Sequence, residues 1–94
     1  MIVSFKDEAT EKVYQERRPP EFPPDILRRA LSKLQQLDVS QALSDLRVPP
    51  GNRLELLKGR RAGQHSIRIN DQWRICFVWT EDENAAQVEI TDYR

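Results

Sequence analysis

Cysteine, histidine and glycine are scarce in this sequence, and their scarcity excludes several kinds of site. The 94 residues include one cysteine, one histidine and three glycines. A single cysteine cannot form an internal disulfide, which favours a reducing compartment and predicts a cytoplasmic protein. One histidine and one cysteine without suggestive carboxylate spacing do not make a zinc site, and scattered glycines do not make a nucleotide-binding loop. We therefore expect no metal and no cofactor.

Long apolar runs are also missing. No stretch approaches the ~20 apolar residues that a membrane span requires, so no membrane association is expected. Hydrophobic residues make up 38% of the chain and charged residues 32%, which is typical of a small globular protein. The length fits one domain with one modest core, and we interpret residues 1–94 as a single domain.

Charge is balanced overall but unevenly distributed along the chain. Lysine plus arginine number 15, as do aspartate plus glutamate. Residues 48–80 have six basic and two acidic side chains, a balance of +4, whereas residues 81–94 have one basic and five acidic side chains, a balance of −4. A basic block of this kind attracts polyanions, although a solvated face balanced by the acidic end explains it equally well.

Hydrophobic periodicity divides the chain into a helical half and a strand half. Apolar residues recur at helical spacing over 25–37, and a weaker first helix begins after Asp7, which is suited to cap it. Beyond the proline-rich segment at 48–50 the period changes to two, and Asn70–Asp71 is typical of a tight turn between strands. The remaining predicted elements are a short strand over residues 2–5, a helical turn capped by Ser40 and a last strand that is marked by Val88 and Ile90 and ends in residues 91–94.

The order strand, helix, helix and antiparallel meander predicts an α+β fold of two layers. Ile67, Ile75 and Phe77 alternate with other residues, so they are expected to face the helices. Arg68 and Arg74 have the opposite parity and would share the open face of the sheet. Anion binding and plain solvation both explain this placement, because antiparallel sheets often leave one face in water.

The basic side chains of the strand half are suited to phosphate. Guanidinium groups bind phosphate oxygens in a fork and stabilise the extra charge of a pentacoordinate phosphorus. RNA supplies its own nucleophile, the 2′-hydroxyl, and an aromatic ring can stack on an exposed base. A metal-free RNA-cleaving site therefore needs few residue types, which suits a chain poor in histidine. The phosphate-compatible set consists of Lys58, Arg60, Arg61, Arg68, Arg74 and Arg94, with Tyr93 beside the last.

Three segments resemble a known protein family. The string "DLRVPPGNRLELLKGRRAGQHSIRINDQWRICFVWT" over 45–80, together with the closing "VEITDYR", resembles the HigB branch of the RelE toxin superfamily, the plasmid maintenance killer proteins. The opening "MIVSFKD" is similar to the usual start of that family. The resemblance implies a RelE-like two-layer fold, in which two N-terminal helices pack on one face of a curved antiparallel sheet.

The resemblance also implies a function. Such proteins are toxins of type II toxin–antitoxin systems that cut messenger RNA in the ribosomal A site, without a metal, through 2′-hydroxyl attack and a 2′,3′-cyclic phosphate. The implied partner is a helix-turn-helix antitoxin of the HigA type, and operator DNA is contacted only through this antitoxin. The alternative is a catalytically weak or inactive module that acts by ribosome binding or antitoxin-dependent repression.

Position by position, the resemblance assigns roles to individual residues. Arg74 matches the arginine that contacts the scissile phosphate, and Asp92 with Tyr93 matches the catalytic end of the family. HigB proteins commonly end in Asp-Tyr-His, whereas this chain ends in Asp-Tyr-Arg. Arg94 stays protonated and cannot act as a general base, so proton transfer would fall to Asp92 or Tyr93. Lys58 matches a basic residue of the family that binds backbone phosphate, and the family pattern makes Arg68 a supporting RNA contact. Arg60 and Arg61 lie in the predicted basic loop, where contact with ribosomal RNA and plain solvation at a hairpin tip both explain their charge.

Four other side chains are interpreted as structural. His65 has the parity of the core-facing residues, although a functional role stays open for it. Trp73 and Trp79 share the apolar face and are expected to anchor the core rather than to stack on bases. Cys76 lies inside a predicted strand and is expected to be a packed or half-exposed thiol rather than a nucleophile.

Overall fold

The computed structural model describes residues 1–92, which form two α-helices, a four-stranded sheet and short 3₁₀ turns. Helix α1 spans Glu8–Tyr14 and helix α2 spans Leu27–Val39. The strands are β1 (Glu55–Leu56), β2 (His65–Arg68), β3 (Arg74–Trp79) and β4 (Ala85–Thr91). Each strand pairs antiparallel with the next in the order β1-β2-β3-β4, which confirms the predicted α+β fold.

Helix α1 begins where the sequence predicts. Asp7 has an extended backbone, and its carboxylate accepts a hydrogen bond of 2.7 Å from the backbone N–H of Thr10. Such a cap satisfies one of the N–H groups that a helix start leaves unpaired. Thr10 is fully buried, and its hydroxyl oxygen accepts a 2.9 Å hydrogen bond from the Ile90 N–H of β4. The first turn of α1 is therefore tied directly to the sheet.

Replacing Thr10 with valine tests this connection, because the two side chains have nearly the same shape. The change leaves the buried Ile90 N–H without its acceptor, and such a loss typically costs about 1–3 kcal/mol. We expect the free energy of unfolding, measured by urea denaturation, to fall by that amount. Thr91→Val, at a half-buried position on β4, is the control. Equal losses in the two variants would contradict a special role for Thr10.

The turns before and after helix α2 differ from those predicted from the sequence. A 3₁₀ turn over Pro24–Ile26 opens the segment predicted as a helix over 25–37. The prediction that Ser40 caps a further turn is wrong. Its hydroxyl donates a 2.7 Å hydrogen bond back to the Gln36 carbonyl at the end of α2, a competing use of serine next to a helix. The following turn is instead held by Asp45, whose carboxylate accepts two backbone N–H groups.

The hydrophobic core lies between the helices and one face of the sheet, as the parity of the strands predicts. Trp73 and Trp79 pack against this core, in agreement with their predicted structural role. The Trp73 ring meets Phe22 edge to face, with the ring centroids 5.6 Å apart. The largest fully buried apolar side chains are Leu34, Leu37, Leu46, Ile67, Ile75 and Phe77.

The first predicted strand, over residues 2–5, is wrong in its extent. Ile2 and Phe5 form two isolated parallel bridges to β4 instead of a regular strand. The reason lies in β4, where Gln87 has a φ of 52° and so cannot continue a regular ladder. Its N–H is bound at 2.8 Å by the Ser4 hydroxyl rather than by a backbone carbonyl. The N-terminal segment nevertheless covers the β4 edge of the sheet.

Candidate functional site

The sheet face that points away from the helices holds a cluster of polar and charged side chains. Arg68 lies opposite Arg74 and Ser66 opposite Cys76 across β2 and β3, and Cys76 lies opposite Glu89 of β4. Side chains in such positions are ~4.5–5.5 Å apart at their Cβ atoms, so they form one continuous surface. We call this surface the polar face. It consists of Glu55, Ser66, Arg68, Arg74, Cys76 and Glu89.

Arg74 lies in the polar face and is held by three acceptors. Its Nε donates to the Ser66 hydroxyl at 3.0 Å, and its Nη2 donates to the Arg53 carbonyl at 2.9 Å. Nη2 also lies 3.3 Å from Oε1 of Glu55, and the Arg74 side chain is 19% exposed. The guanidinium is therefore fixed in one orientation while part of it stays accessible. A fixed fork of N–H donors suits the recognition of phosphate oxygens.

Glu89 organises the cations next to Arg74, and the sequence interpretation missed it. Its carboxylate is 10% exposed and forms two ion pairs, at 3.2 Å to Lys6 Nζ and at 3.1 Å to Arg61 Nη2. A carboxylate at this depth needs charged partners because it has lost most of its hydration. Strand alternation could have found it: Glu89 lies between the core residues Val88 and Ile90, so its side chain must point to the other face.

The polar face is less open than the sequence predicts. Ser66 is fully buried and Cys76 is 1% exposed, because charged side chains gathered around Glu89 cover the middle of the sheet. Arg61, at the end of the 3₁₀ turn Gly59–Arg61, belongs to this cover and is only 25% exposed. The shared parity of Arg68 and Arg74 is confirmed, but the expectation of an open face is wrong.

Cys76 is a packed thiol, as the sequence predicts. Burial raises the pKa of the thiol to about 11. Glu89 acts in the same direction, against the opposing effect of the cations Arg61, Arg74 and Lys6. At pH 7 the sulfur is therefore protonated and does not act as a nucleophile.

The other basic residues with predicted binding roles lie around the polar face. Lys58 and Arg60 are exposed on either side of Gly59. Arg68 forms an ion pair with Asp71, whose side chain is 97% exposed. Exposed pairs of this kind contribute little energy and are easily exchanged. Of the predicted cations, Arg61 and Arg74 are thus built into the sheet surface, while Lys58 and Arg60 extend into solvent.

Asp92 lies at the same end of the sheet as Arg74. It directly follows the residue that pairs with Arg74 in β4, and its Oδ2 accepts a 3.0 Å hydrogen bond from the side-chain amide of Gln72. The structure thus brings Asp92 to the loop that joins β2 and β3. Tyr93 and Arg94, which the sequence also assigns to the site, lie outside the described residues.

His65 lies on the helix side of the sheet, as its parity predicts. Its ring stacks on Phe77 with the centroids 6.2 Å apart and the planes inclined by 22°. Burial lowers the pKa of the imidazole, and its Nδ1 is buried without a hydrogen-bond partner within residues 1–92. The ring is therefore neutral at pH 7, and the sheet separates it from Arg74.

Metal-ligand clusters and membrane-spanning helices are both absent from the described part of the chain. Residues 1–92 bring no three histidine, cysteine, aspartate or glutamate side chains together in a metal-binding arrangement. None of the helices in this range is long and apolar enough to cross a membrane. The charged groups of the polar face are guanidinium and carboxylate groups, and the ammonium of Lys6 pairs with one of these carboxylates.

The architecture is an α+β fold of two layers. Two helices lie on one side of a four-stranded antiparallel sheet, and charged residues lie on the other side. The same fold occurs in the YoeB–YefM complex from Staphylococcus aureus. That similarity covers 100% of this chain and 98% of the other, with a TM-score of 0.57 and 17% sequence identity. At this identity the comparison shows the fold alone.

Sequence comparisons then identify the family. The family described as the RelE-like toxin of type II toxin-antitoxin system HigB matches residues 3–93. Toxin HigB-1 of Vibrio cholerae serotype O1 is 44% identical over 82 residues, which are 86% of each chain. An uncharacterized protein of Haemophilus influenzae is 34% identical over 80 residues, 84% of this chain and 79% of that protein. The chain belongs to the HigB-like toxin family, which confirms the resemblance; it is a toxin of a type II toxin–antitoxin system, with an antitoxin as its partner.

Proposed function

We propose that this toxin is a ribosome-dependent endoribonuclease that cleaves messenger RNA in the A site without a metal. The observation that supports the proposal most directly is Arg74, whose guanidinium is held in one orientation by Ser66, Glu55 and the Arg53 carbonyl. Donors fixed before the substrate arrives need no reorganisation as charge develops on the phosphorus. Arg74 therefore contacts the scissile phosphate and stabilises the pentacoordinate transition state.

The carboxylates of the polar face act as positioning groups in this proposal. Glu55 restrains Arg74, and Glu89 restrains both Arg61 and Lys6. Each carboxylate lowers the net positive charge, yet it also fixes cations that would otherwise move freely on long side chains. Lys58, Arg60, Arg61 and Arg68 contact the RNA strand or the ribosome around the reacting phosphate.

Proton transfer in the proposed reaction belongs to the last residues of the chain. A base accepts the proton of the 2′-hydroxyl, the 2′-oxygen attacks the phosphorus, and the 5′-oxygen leaves with a proton. The products are a 2′,3′-cyclic phosphate and a 5′-hydroxyl. Arg94 stabilises charge, because a guanidinium stays protonated and cannot accept the proton. Asp92 and Tyr93 handle the protons.

The proposal extends to partners and location. The antitoxin is a helix-turn-helix protein of the HigA type, and the toxin reaches operator DNA only through it. The site of action is the cytoplasm, where translating ribosomes present messenger RNA in the A site. Residues 1–94 act as one toxin domain, with no metal and no cofactor.

Primer extension on a message that is expressed with or without a functional start codon tests the proposed activity. We expect cuts in codon register only in the translated message, with cyclic phosphate ends. Growth arrest without cuts would contradict the nuclease. That result would favour the alternative, a module that inhibits by occupying the ribosome or represses transcription with its antitoxin.

Arg94→His tests whether the terminal arginine limits proton transfer. General acid–base catalysis typically contributes about 10²–10⁴-fold, and a histidine near neutral pKa supplies it where arginine does not. We expect the single-turnover cleavage rate on programmed ribosomes to rise by about tenfold or more, with a new dependence on pH near the histidine pKa of about 6.5. Arg94→Lys, which keeps the charge, is the control. An unchanged rate in Arg94→His would show that proton transfer does not limit the reaction.

A further inference from the structure

A groove of about 370 Å³ lies between helix α2 and the β2–β3 hairpin, to one side of the polar face. Arg29 and Lys33 of α2 form one wall, and Arg68 with Ile69 forms the other. Gly51, in the 3₁₀ turn Pro50–Asn52, lines the same groove. Three of these five lining residues are cationic and none is acidic. We call this the cationic groove.

The two cations of α2 that line the groove are placed where they repel each other. Arg29 and Lys33 are four residues apart on one helix, and like charges at this spacing are destabilising. Burial lowers the pKa of the Lys33 ammonium, and the charge of Arg29 lowers it further. Neither side chain forms an ion pair within residues 1–92. Arg29 and Lys33 therefore give the groove positive charge that no ion pair of the described part of the chain neutralises.

Neutral acceptors hold both cations in place. Lys33 Nζ donates to the side-chain oxygen of Asn52, which is fully buried and anchored by a 3.1 Å hydrogen bond to the Leu46 carbonyl. Arg29 Nη1 donates to the Ile69 carbonyl at 3.2 Å. An ammonium has three N–H donors and a guanidinium five. One contact each thus fixes the two groups and leaves further donors for an anion.

Arg68 connects the cationic groove to the polar face. It lines the groove, and it lies directly opposite Arg74 across β2 and β3. The carboxylate of its partner, Asp71, is exposed to solvent, so an incoming anion can compete with it. A chain of phosphates that passes Arg74 therefore meets Arg68, and then Arg29 and Lys33, without crossing a carboxylate of the groove lining.

We propose that the cationic groove binds a backbone phosphate of the RNA strand next to the phosphate contacted by Arg74. This inference rests on the proposed function, because that function brings an RNA strand to the polar face. Inorganic phosphate and the DNA backbone share the relevant chemistry. RNA is the favoured source because the groove continues the surface at which the reacting phosphate binds.

The test compares two variants that remove the same charge. Arg29→Gln with Lys33→Gln, the groove variant, removes the two cations that α2 contributes to the groove. Arg17→Gln with Arg28→Gln neutralises two exposed arginines beside a different depression, between α1 and α2. The probe is a short fluorescein-labelled single-stranded RNA with 2′-O-methyl groups, which cannot undergo 2′-hydroxyl attack. Fluorescence anisotropy gives the dissociation constant as a function of salt concentration.

The groove variant is expected to bind the probe about tenfold more weakly than the wild type at low salt, since it lacks the charge-assisted hydrogen bonds of Arg29 and Lys33 to the phosphate. The slope of log K against log salt should fall by about 0.7, the value for one phosphate contact on a single strand. The control variant should keep the wild-type slope. Equal effects in the two variants would overturn the proposal.

Two further measurements complement the RNA-binding comparison. Titration of the wild-type toxin with inorganic phosphate, followed by NMR, should shift the amide signals of Gly51 and Ile69 in a saturable manner; unchanged signals would overturn the proposal. The toxin–antitoxin complex is also measured on operator DNA. Weaker DNA binding by the groove variant with unchanged RNA binding would assign the groove to DNA and overturn the inference.

The failure of this inference is distinguishable from failure of the nuclease proposal. If the nuclease proposal fails, the wild-type toxin will not cleave messenger RNA on programmed ribosomes. If only the groove inference fails, the wild type will cleave normally, and the groove and control variants will bind RNA identically.

Discussion

Arg74→Ala is expected to abolish messenger-RNA cleavage and growth arrest while leaving the antitoxin complex intact. Removal of one preorganised donor group from a site of developing charge typically costs about 10²–10³ in rate, and arginine supplies several donors. The readouts are primer extension on translated messages, growth after induction and co-purification with the antitoxin. Full toxicity of Arg74→Ala would refute the assignment of Arg74 as the phosphate contact.

Arg74→Lys tests whether the planar set of guanidinium N–H donors is needed in addition to the positive charge. Lysine keeps the positive charge but cannot hold Ser66 and a phosphate in one plane, so we expect an intermediate rate. Because Arg74 also contacts Glu55 and the Arg53 carbonyl, each variant is first compared with the wild type by thermal unfolding. A cleavage defect that follows the loss of stability equally in both variants would indicate a structural role only.

Phe77→Ala is expected to have the largest effect on stability. Phe77 is fully buried in β3 and contacts both His65 and Trp79 through its ring. Truncation of a buried phenylalanine typically costs about 3–5 kcal/mol, which is a large part of the about 5–15 kcal/mol that stabilises a domain. We expect the midpoint of urea denaturation to fall accordingly.

Val78→Ala is the matched control for Phe77→Ala. Val78 is the next residue of β3, points to the other side of the sheet and is only half-buried. Its truncation should cost clearly less, because a partly exposed side chain loses less burial. Similar losses in the two variants would contradict the position of the core on the helix side.

Local patterns predicted much of the fold. Alternation placed Ile67 and Phe77 on the core side, and the capping tendency of aspartate located the start of α1 at Asp7. The errors arose where a side chain had two uses. Ser40 could cap the next turn or bind back to its own helix, and only the packed structure decides between them. A bulge such as that at Gln87 depends on its neighbours and leaves a weak trace in sequence.

The sequence predicted Arg68 and Arg74 of the polar face but not the two carboxylates that pair with its cations, Glu55 and Glu89. Parity and the family resemblance both pointed to Arg74, and parity also placed Arg68 beside it. The pairing of Glu89 with Lys6 joins residues from opposite ends of the chain. Such a contact depends on the packing of the N-terminal segment against β4, which no local pattern contains. The sequence therefore did not predict that the charged side chains around Glu89 cover the middle of the sheet.

The two edges of the sheet have a consequence for how the toxin behaves at high concentration. Free strand edges recruit strands from other molecules and start aggregation. Here the bridges made by Ile2 and Phe5 occupy the β4 edge, and β1 offers only two residues at the opposite edge. Neither edge is a good template for another copy. The short segment at the start of the chain thus protects the protein from polymerising through its sheet.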